Sequence, residues 1–204
     1  HELPEPPPGV PLVGDMSSNI LSEPLDVRRF GLIYAGAQKN LGPAGLGVVI
    51  IRSDLLERAP KNLPNILSYR AHVAAHGLYH TPPTFAVYMM GMVLEWIEAE
   101  GGLEVMARRK AEKSGMLYAA IDASGGFYRG TADPACRSGM NVTFRLRDTS
   151  LEERFFAEAV AAGLAGIRGH RSVGGARASL YNPLPIESVA ALVAFMDDFR
   201  KRNG

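Results

Sequence analysis

Lys39 lies in the run Tyr34-Ala35-Gly36-Ala37-Gln38-Lys39-Asn40-Leu41-Gly42-Pro43-Ala44-Gly45, directly after an apolar stretch and at the start of a loop broken by Gly and Pro. A primary amine held at a strand end in a tight loop is suited to Schiff-base formation with a carbonyl compound. Asp15 closes a second apolar run, Val10-Pro11-Leu12-Val13-Gly14. A carboxylate there can keep a pyridine-type ring nitrogen protonated while the lysine forms an imine, the pair that pyridoxal phosphate chemistry requires. Each residue also has an ordinary reading, Lys39 as a solvated loop lysine and Asp15 as the start of an Asx-turn. Gly36, Gly42 and Gly45 mark backbone that another group can approach closely. Gln38 and Asn40 add hydrogen-bonding capacity beside the amine.

Other residues could serve an anionic ligand. Thr81, before Pro82-Pro83, reads as the N-cap of a helix, where free N–H groups and the helix dipole favour a phosphate. His170-Arg171 and Arg177 bracket Ser172-Val173-Gly174-Gly175-Ala176. A basic turn of this kind can be a solvated hairpin, or its arginines can grip the two ends of a dianion with their planar forks. His72, His76 and His80 recur every fourth residue, a spacing that aligns metal ligands only on a continuous helix. Gly77 and Thr81-Pro82-Pro83 argue against that helix, and no carboxylate or Cys completes a set, so no metal is expected. Cys136 has no His or Asn nearby in sequence to mark it as a nucleophile.

The elements that must position these groups form an α/β pattern. Residues 1–9 are rich in Pro and Glu and read as a connecting segment. Residues 10–14, 31–35 and 46–52 read as buried strands of a mostly parallel sheet. Residues 54–60 could make a helical turn, and 61–80 look irregular. A long helix is expected from Thr81 to about Glu100, apolar nearly all round and therefore buried. Gly101-Gly102 ends it, and 103–123 reads as a second helix. A small α+β part follows: a strand over Asn141–Leu146, and a capping box at Ser150–Glu153 opening a helix to about Ala162. A glycine-rich turn between two strands is expected within Ile167–Leu180. In the last helix Ile186, Val189, Val193, Met196 and Arg200 share a face, beside Leu192, Phe195 and Phe199. The domain boundary is expected near residue 100, giving 1–100 and 101–204.

The chain has 204 residues, enough to bury roughly 70% of its extended surface. Its 22 Lys and Arg against 21 Asp and Glu are interspersed, which gives no nucleic-acid footprint and no polybasic membrane patch. The longest apolar run, Phe85–Leu94, is too short to span a bilayer, and no signal peptide is visible. The single Cys fits a reducing cytoplasm. The chain opens His1-Glu2-Leu3-Pro4, which suggests processing or a piece of something longer.

The segments Asp15–Ser22, Tyr34–Gly45, Thr81–Phe85 and Gly169–Asn182 resemble the phosphoserine aminotransferase family of class V, fold-type I pyridoxal phosphate enzymes. The resemblance runs over essentially the whole chain. It implies a PLP-transferase large domain with a mostly parallel sheet over 1–100, and a small α+β C-terminal domain over 101–204. It also implies a cytoplasmic homodimer with shared active sites. The reaction implied is reversible amino transfer between glutamate and 3-phosphohydroxypyruvate, giving phosphoserine and 2-oxoglutarate in serine biosynthesis. In bacteria a role in pyridoxine biosynthesis is implied as well. By position, Lys39 resembles the Schiff-base lysine, Asp15 the pyridinium partner and Gln38 a cofactor contact. His80 and Thr81 fall where the family has an Asn-Thr pair that reaches the cofactor phosphate of the opposite subunit; His80 departs from that pattern. His170 and Arg171 resemble ligands of the substrate phosphate, and Arg177 resembles the ligand of its α-carboxylate. The chain corresponds to the C-terminal part of such an enzyme, somewhat over half, and alone is expected to be inactive. The alternatives are another class V enzyme of the alanine–glyoxylate type and a non-catalytic fragment. A cysteine desulfurase fits less well, because Cys136 lacks a recognisable mobile-loop setting.

Overall fold

The computed structural model describes residues 3–204. The chain divides into two compact units, one ending at Leu103 and the other running from Glu104 to Gly204. Residues 3–9 of the expected connecting segment carry no helix or strand, and His1 and Glu2 lie outside the described residues.

The first unit is built on a three-stranded sheet in the order β1 (Val13–Asp15), β2 (Leu32–Gly36), β3 (Gly47–Ile51). β1 and β2 are parallel, with Asp15 opposite Tyr34. Residues 16–31 supply the long crossover that a parallel pair needs. β3 does not follow the expected parallel course: it runs antiparallel to β2, with Gly36 opposite Gly47. The loop over 37–46 is too short for a crossover helix, so the chain must reverse on itself. The strands are also less buried than their apolar composition suggests. Ile33 and Ala35 are buried on β2, whereas Val13, Val49 and Ile50 are exposed. Met16, Phe30 and Ile33 form one small core, and Ala35, Ala37 and Leu41 a second that packs against Met90.

Short helices α1 (Ser53–Arg58) and α2 (Tyr69–Ala74) follow, so the segment expected to be irregular contains one helical turn and a half. α2 stops before His76, whose φ of 52° breaks any helical alignment of His72, His76 and His80. Among the described residues no group of three or more His, Cys, Asp or Glu is placed to hold a metal. α3 spans Thr84–Ala99, not from Thr81. Pro83 sits at its N-cap in extended conformation, and a residue before proline is pushed out of the α region, so Pro82-Pro83 delays the helix. α3 is also not buried all round: only Ala86 and Ile97 are buried, while Phe85 is 72% and Tyr88 63% exposed.

In the second unit, α4 (Gly102–Asp122) leads to an antiparallel sheet ordered β4 (Tyr128–Gly130), β5 (Asn141–Leu146), β6 (Ala176–Ser179). β5 has the expected bounds and alternates strictly, burying Val142, Phe144 and Leu146. α5 (Glu152–Ala161) is not opened by the expected capping box; Asp148 caps the preceding 3₁₀ turn, accepting from the Ser150 N–H at 3.0 Å. α6 (Ile186–Asn203) buries Val189, Leu192, Met196 and Phe199. These helices and the inner sheet face share one aromatic core. Phe155 stacks edge-on to Phe199 at 5.1 Å, and Phe144 edge-on to Tyr128 at 5.6 Å. Each fully buried ring contributes about 2–3 kcal/mol, which makes this unit the better consolidated of the two. No helix of the described residues is long and apolar enough to cross a membrane.

Candidate active site

Asp15 and Lys39 lie at the same end of the first sheet, where the parallel strands β1 and β2 finish side by side. Asp15 Oδ1 accepts from the Ser17 N–H at 2.9 Å and from the Ser17 hydroxyl at 2.6 Å. The same hydroxyl oxygen accepts from the Gly36 N–H at 3.0 Å. Ser17 therefore ties the carboxylate to the end of β2. The Asp15 carboxyl is held below its usual range, first by the Ser17 hydroxyl and then by the Ser17 N–H. Slight desolvation opposes this, and the Tyr34 hydroxyl and the Lys39 charge add smaller lowering effects. An exposed carboxylate kept ionised suits a cationic partner.

Lys39 is half-buried, and its Nζ donates to the Ser18 hydroxyl at 2.9 Å. The loop that carries it is closed by Ala37 N–H donating to Leu46 O at 3.0 Å and Gly42 N–H to Ala37 O at 2.9 Å. Asn40 is buried and donates to Ile20 O at 3.0 Å, which fastens this loop to the one after β1. Gln38 is exposed, and its side-chain amide folds back over Gly36. Asp15, Gln38 and Lys39 thus form one cluster. His80 and Thr81 lie in the exposed extended segment before α3, with the His80 ring edge-on to His72 at 6.4 Å. No hydrogen bond or ion pair joins them to that cluster among the described residues.

The second unit carries His170, Arg171 and Arg177. The loop at 169–175 closes on itself, with Gly169 N–H donating to Gly175 O at 2.7 Å and Gly174 N–H to His170 O at 2.8 Å. Gly174 and Gly175 sit at φ 74° and 66°, and a Cβ on Gly169 would lie 2.3 Å from Gly174 O. Strand pairing does not continue across this loop as expected; one isolated bridge, Arg168 to Ala176, faces β6. The tight ring of backbone bonds takes the place of a ladder. His170 Nδ1 lies 2.6 Å from the Ser172 hydroxyl and accepts from the Ser172 N–H at 3.3 Å. Arg177 is on β6 opposite Thr143. Arg171 and Arg177 present exposed side chains that make no ion pair among the described residues.

Three supporting residues carry no role in the sequence reading. Ser17 and Ser18 stand next to each other after Asp15, and an Asp followed two residues later by Ser is a recognisable turn signal. Arg145, on β5, donates to Val173 O beneath the 169–175 loop, and no sequence pattern marks it.

Residues 7–192 match the Aminotransferase class-V family. A phosphoserine aminotransferase of Lysinibacillus sphaericus is 57% identical over 194 residues, which is 95% of this chain and 54% of that protein. The phosphoserine aminotransferase structure from Bacillus circulans subsp. alkalophilus is 53% identical with a TM-score of 0.93, covering 97% of this chain and 55% of that one. The PLP-bound phosphoserine aminotransferase structure from Trichomonas vaginalis is 41% identical with a TM-score of 0.89, covering 96% and 55%. This chain therefore spans about half the length of the relatives it matches, and over that span it has their α/β fold. It belongs to the class V aminotransferase family.

Proposed function

We propose that the chain forms the C-terminal part of a phosphoserine aminotransferase that uses pyridoxal phosphate. The observation that carries this reading is the convergence of Asp15 and Lys39 at the C-terminal end of two parallel strands, each hung on a serine. The residues present fit the group: an ionised carboxylate for a pyridinium nitrogen, and a primary amine on a rigid loop for an aldehyde. Lys39 would hold the aldehyde end, Asp15 the ring nitrogen, and Gln38 would flank the ring. His80 and Thr81 would reach the cofactor phosphate of a second subunit. When bound, pyridoxal phosphate supplies an electron sink for the pair left at the substrate Cα as its proton departs.

The chain's own residues do the remainder. Asp15 would balance the charge of a protonated ring nitrogen. The Lys39 amine would take and return the proton at the substrate Cα. Arg177 binds the α-carboxylate, and His170 with Arg171 binds a substrate phosphate. The reaction is amino transfer between glutamate and 3-phosphohydroxypyruvate, in serine biosynthesis and, in bacteria, pyridoxine biosynthesis. The active assembly is a cytoplasmic homodimer, with residues 1–100 in the cofactor-binding domain and 101–204 in the small domain.

His170-Arg171 separates this reading from an alanine–glyoxylate transaminase, since only a phosphorylated substrate calls for the extra cation. The test compares kcat/KM on phosphoserine and alanine for the full-length protein and its Arg171→Ala variant. Arg171→Ala should lower the phosphoserine value by roughly 10²-fold or more and leave alanine untouched. Equal rates on both substrates before mutation would sink it.

A further inference from the structure

The contacts of His170 point to a specific state of its ring. A backbone N–H can only donate, so the Ser172 N–H at 3.3 Å makes Nδ1 an acceptor. The Ser172 hydroxyl, 2.6 Å from the same nitrogen, must then donate to it as well. A ring whose Nδ1 lone pair is shared by both Ser172 donors carries its proton on Nε2. The backbone around it is fixed: His170 O accepts from the N–H groups of Val173 at 2.9 Å and Gly174 at 2.8 Å, and Arg145 holds Val173 O from below. Space for that clamp depends on glycine, since a Cβ on Gly175 would lie 2.9 Å from Arg145 Cγ.

We propose that Ser172 is a positioning residue that sets His170 as an Nε2–H donor, so that a substrate phosphate is met by a directed neutral hydrogen bond beside the full charge of Arg171. This rests on the reading of His170 as a phosphate ligand. It divides the labour within one loop. Arg171 supplies charge, and His170 supplies direction.

The experiment uses the full-length, cofactor-loaded protein labelled with ¹⁵N-histidine, with His170→Asn to assign the signal. Wild-type protein should show a pyridine-type Nδ1 and a pyrrole-type Nε2 at His170. Ser172→Ala should mix the tautomers and weaken inorganic phosphate binding roughly fivefold, and Ser172→Thr should restore both. A pyrrole-type Nδ1 or an imidazolium in wild-type protein overturns the proposal. So does a Ser172→Ala variant with unchanged tautomer and affinity. If the tautomer depends on Ser172 but phosphate moves no His170 resonance, the assignment of His170 as a phosphate ligand fails instead.

Discussion

Lys39 Nζ donates to Ser18 Oγ at 2.9 Å, and Ser18 belongs to the turn that Asp15 opens. The amine is anchored by a neutral hydroxyl, which holds its position but competes weakly with a covalent partner. Asp15 is occupied by the adjacent Ser17 instead of pairing directly with the lysine. The two serines therefore hold the two functional groups in place, near each other yet individually accessible.

Lys39→Ala removes the amine that would both hold the cofactor and move the proton. In the full-length enzyme, turnover should fall by at least about 10³-fold. Borohydride reduction of wild-type protein should attach cofactor mass to the peptide containing Lys39, and the variant should carry none. A variant with near-normal transaminase rates would show that another residue performs the chemistry.

Ser17→Ala removes the largest cause of the lowered Asp15 pKa. A carboxyl whose folded pKa is depressed contributes stability above its unfolded pKa and loses it as pH falls through the folded value. The variant should therefore titrate Asp15 at a higher pH, nearer the ordinary 3.8. Its contribution should disappear earlier on acidification. Carboxyl ¹³C titration reads this directly, and an unchanged midpoint would assign the lowering to the Ser17 N–H, which the variant keeps, ahead of Tyr34 and Lys39.

Much of this geometry was legible in the sequence because it is local. The apolar runs ending at Asp15 and before Lys39 became β1 and β2, and the alternation over Asn141–Leu146 became β5 residue for residue. What depended on nonlocal closure was not legible. The direction of β3 follows from the length of the loop over 37–46, and Pro83 rather than Thr81 starts α3. Arg145 reaches Val173 across twenty-eight positions of sequence, and Lys113 reaches Tyr181 across sixty-eight.

Gly169 shows how tightly the loop over 169–175 is drawn. Alanine there would push a methyl to 2.3 Å from Gly174 O and 2.7 Å from Gly175 O. Because both contacts are backbone, the loop must open, at a cost of about 2 kcal/mol. Gly169→Ala should raise KM for phosphoserine at least about tenfold while KM for glutamate changes less. Equal effects on both substrates would mean that the loop does not meet the phosphate.

Lys113 is 2% exposed on α4, and its ammonium donates to Tyr181 O at 2.8 Å, Leu184 O at 3.1 Å and Asn182 O at 3.5 Å. It pins the turn that follows β6, the strand of Arg177. Lys113→Met leaves those buried carbonyls without their donor and should destabilise the protein by about 2–3 kcal/mol at neutral pH. Burial, then the charge of Arg109, pull the Lys113 pKa from 10.5 down to about 8. Between those values the unfolded chain binds more protons than the folded one, so wild-type stability rises with pH across that window. The gap between wild type and Lys113→Met should widen from pH 8 to 10, measured by urea midpoints. A narrowing gap would mean that the carbonyls hold the charged form more strongly than burial disfavours it.

Phe85 and Tyr88 lie one helical turn apart on α3, 72% and 63% exposed. A helix this apolar is ordinarily covered, and the chain spans 54% of its Lysinibacillus sphaericus relative. The proposed homodimer gives that face a place to be buried. Phe85→Asp in the full-length protein would set a charge into such a contact and should weaken association by about 2–3 kcal/mol, roughly a hundredfold in Kd. Light scattering across a dilution series reads the change. If the variant associates as tightly as wild type, Phe85 is not at the subunit interface and the rest of its own chain must cover α3.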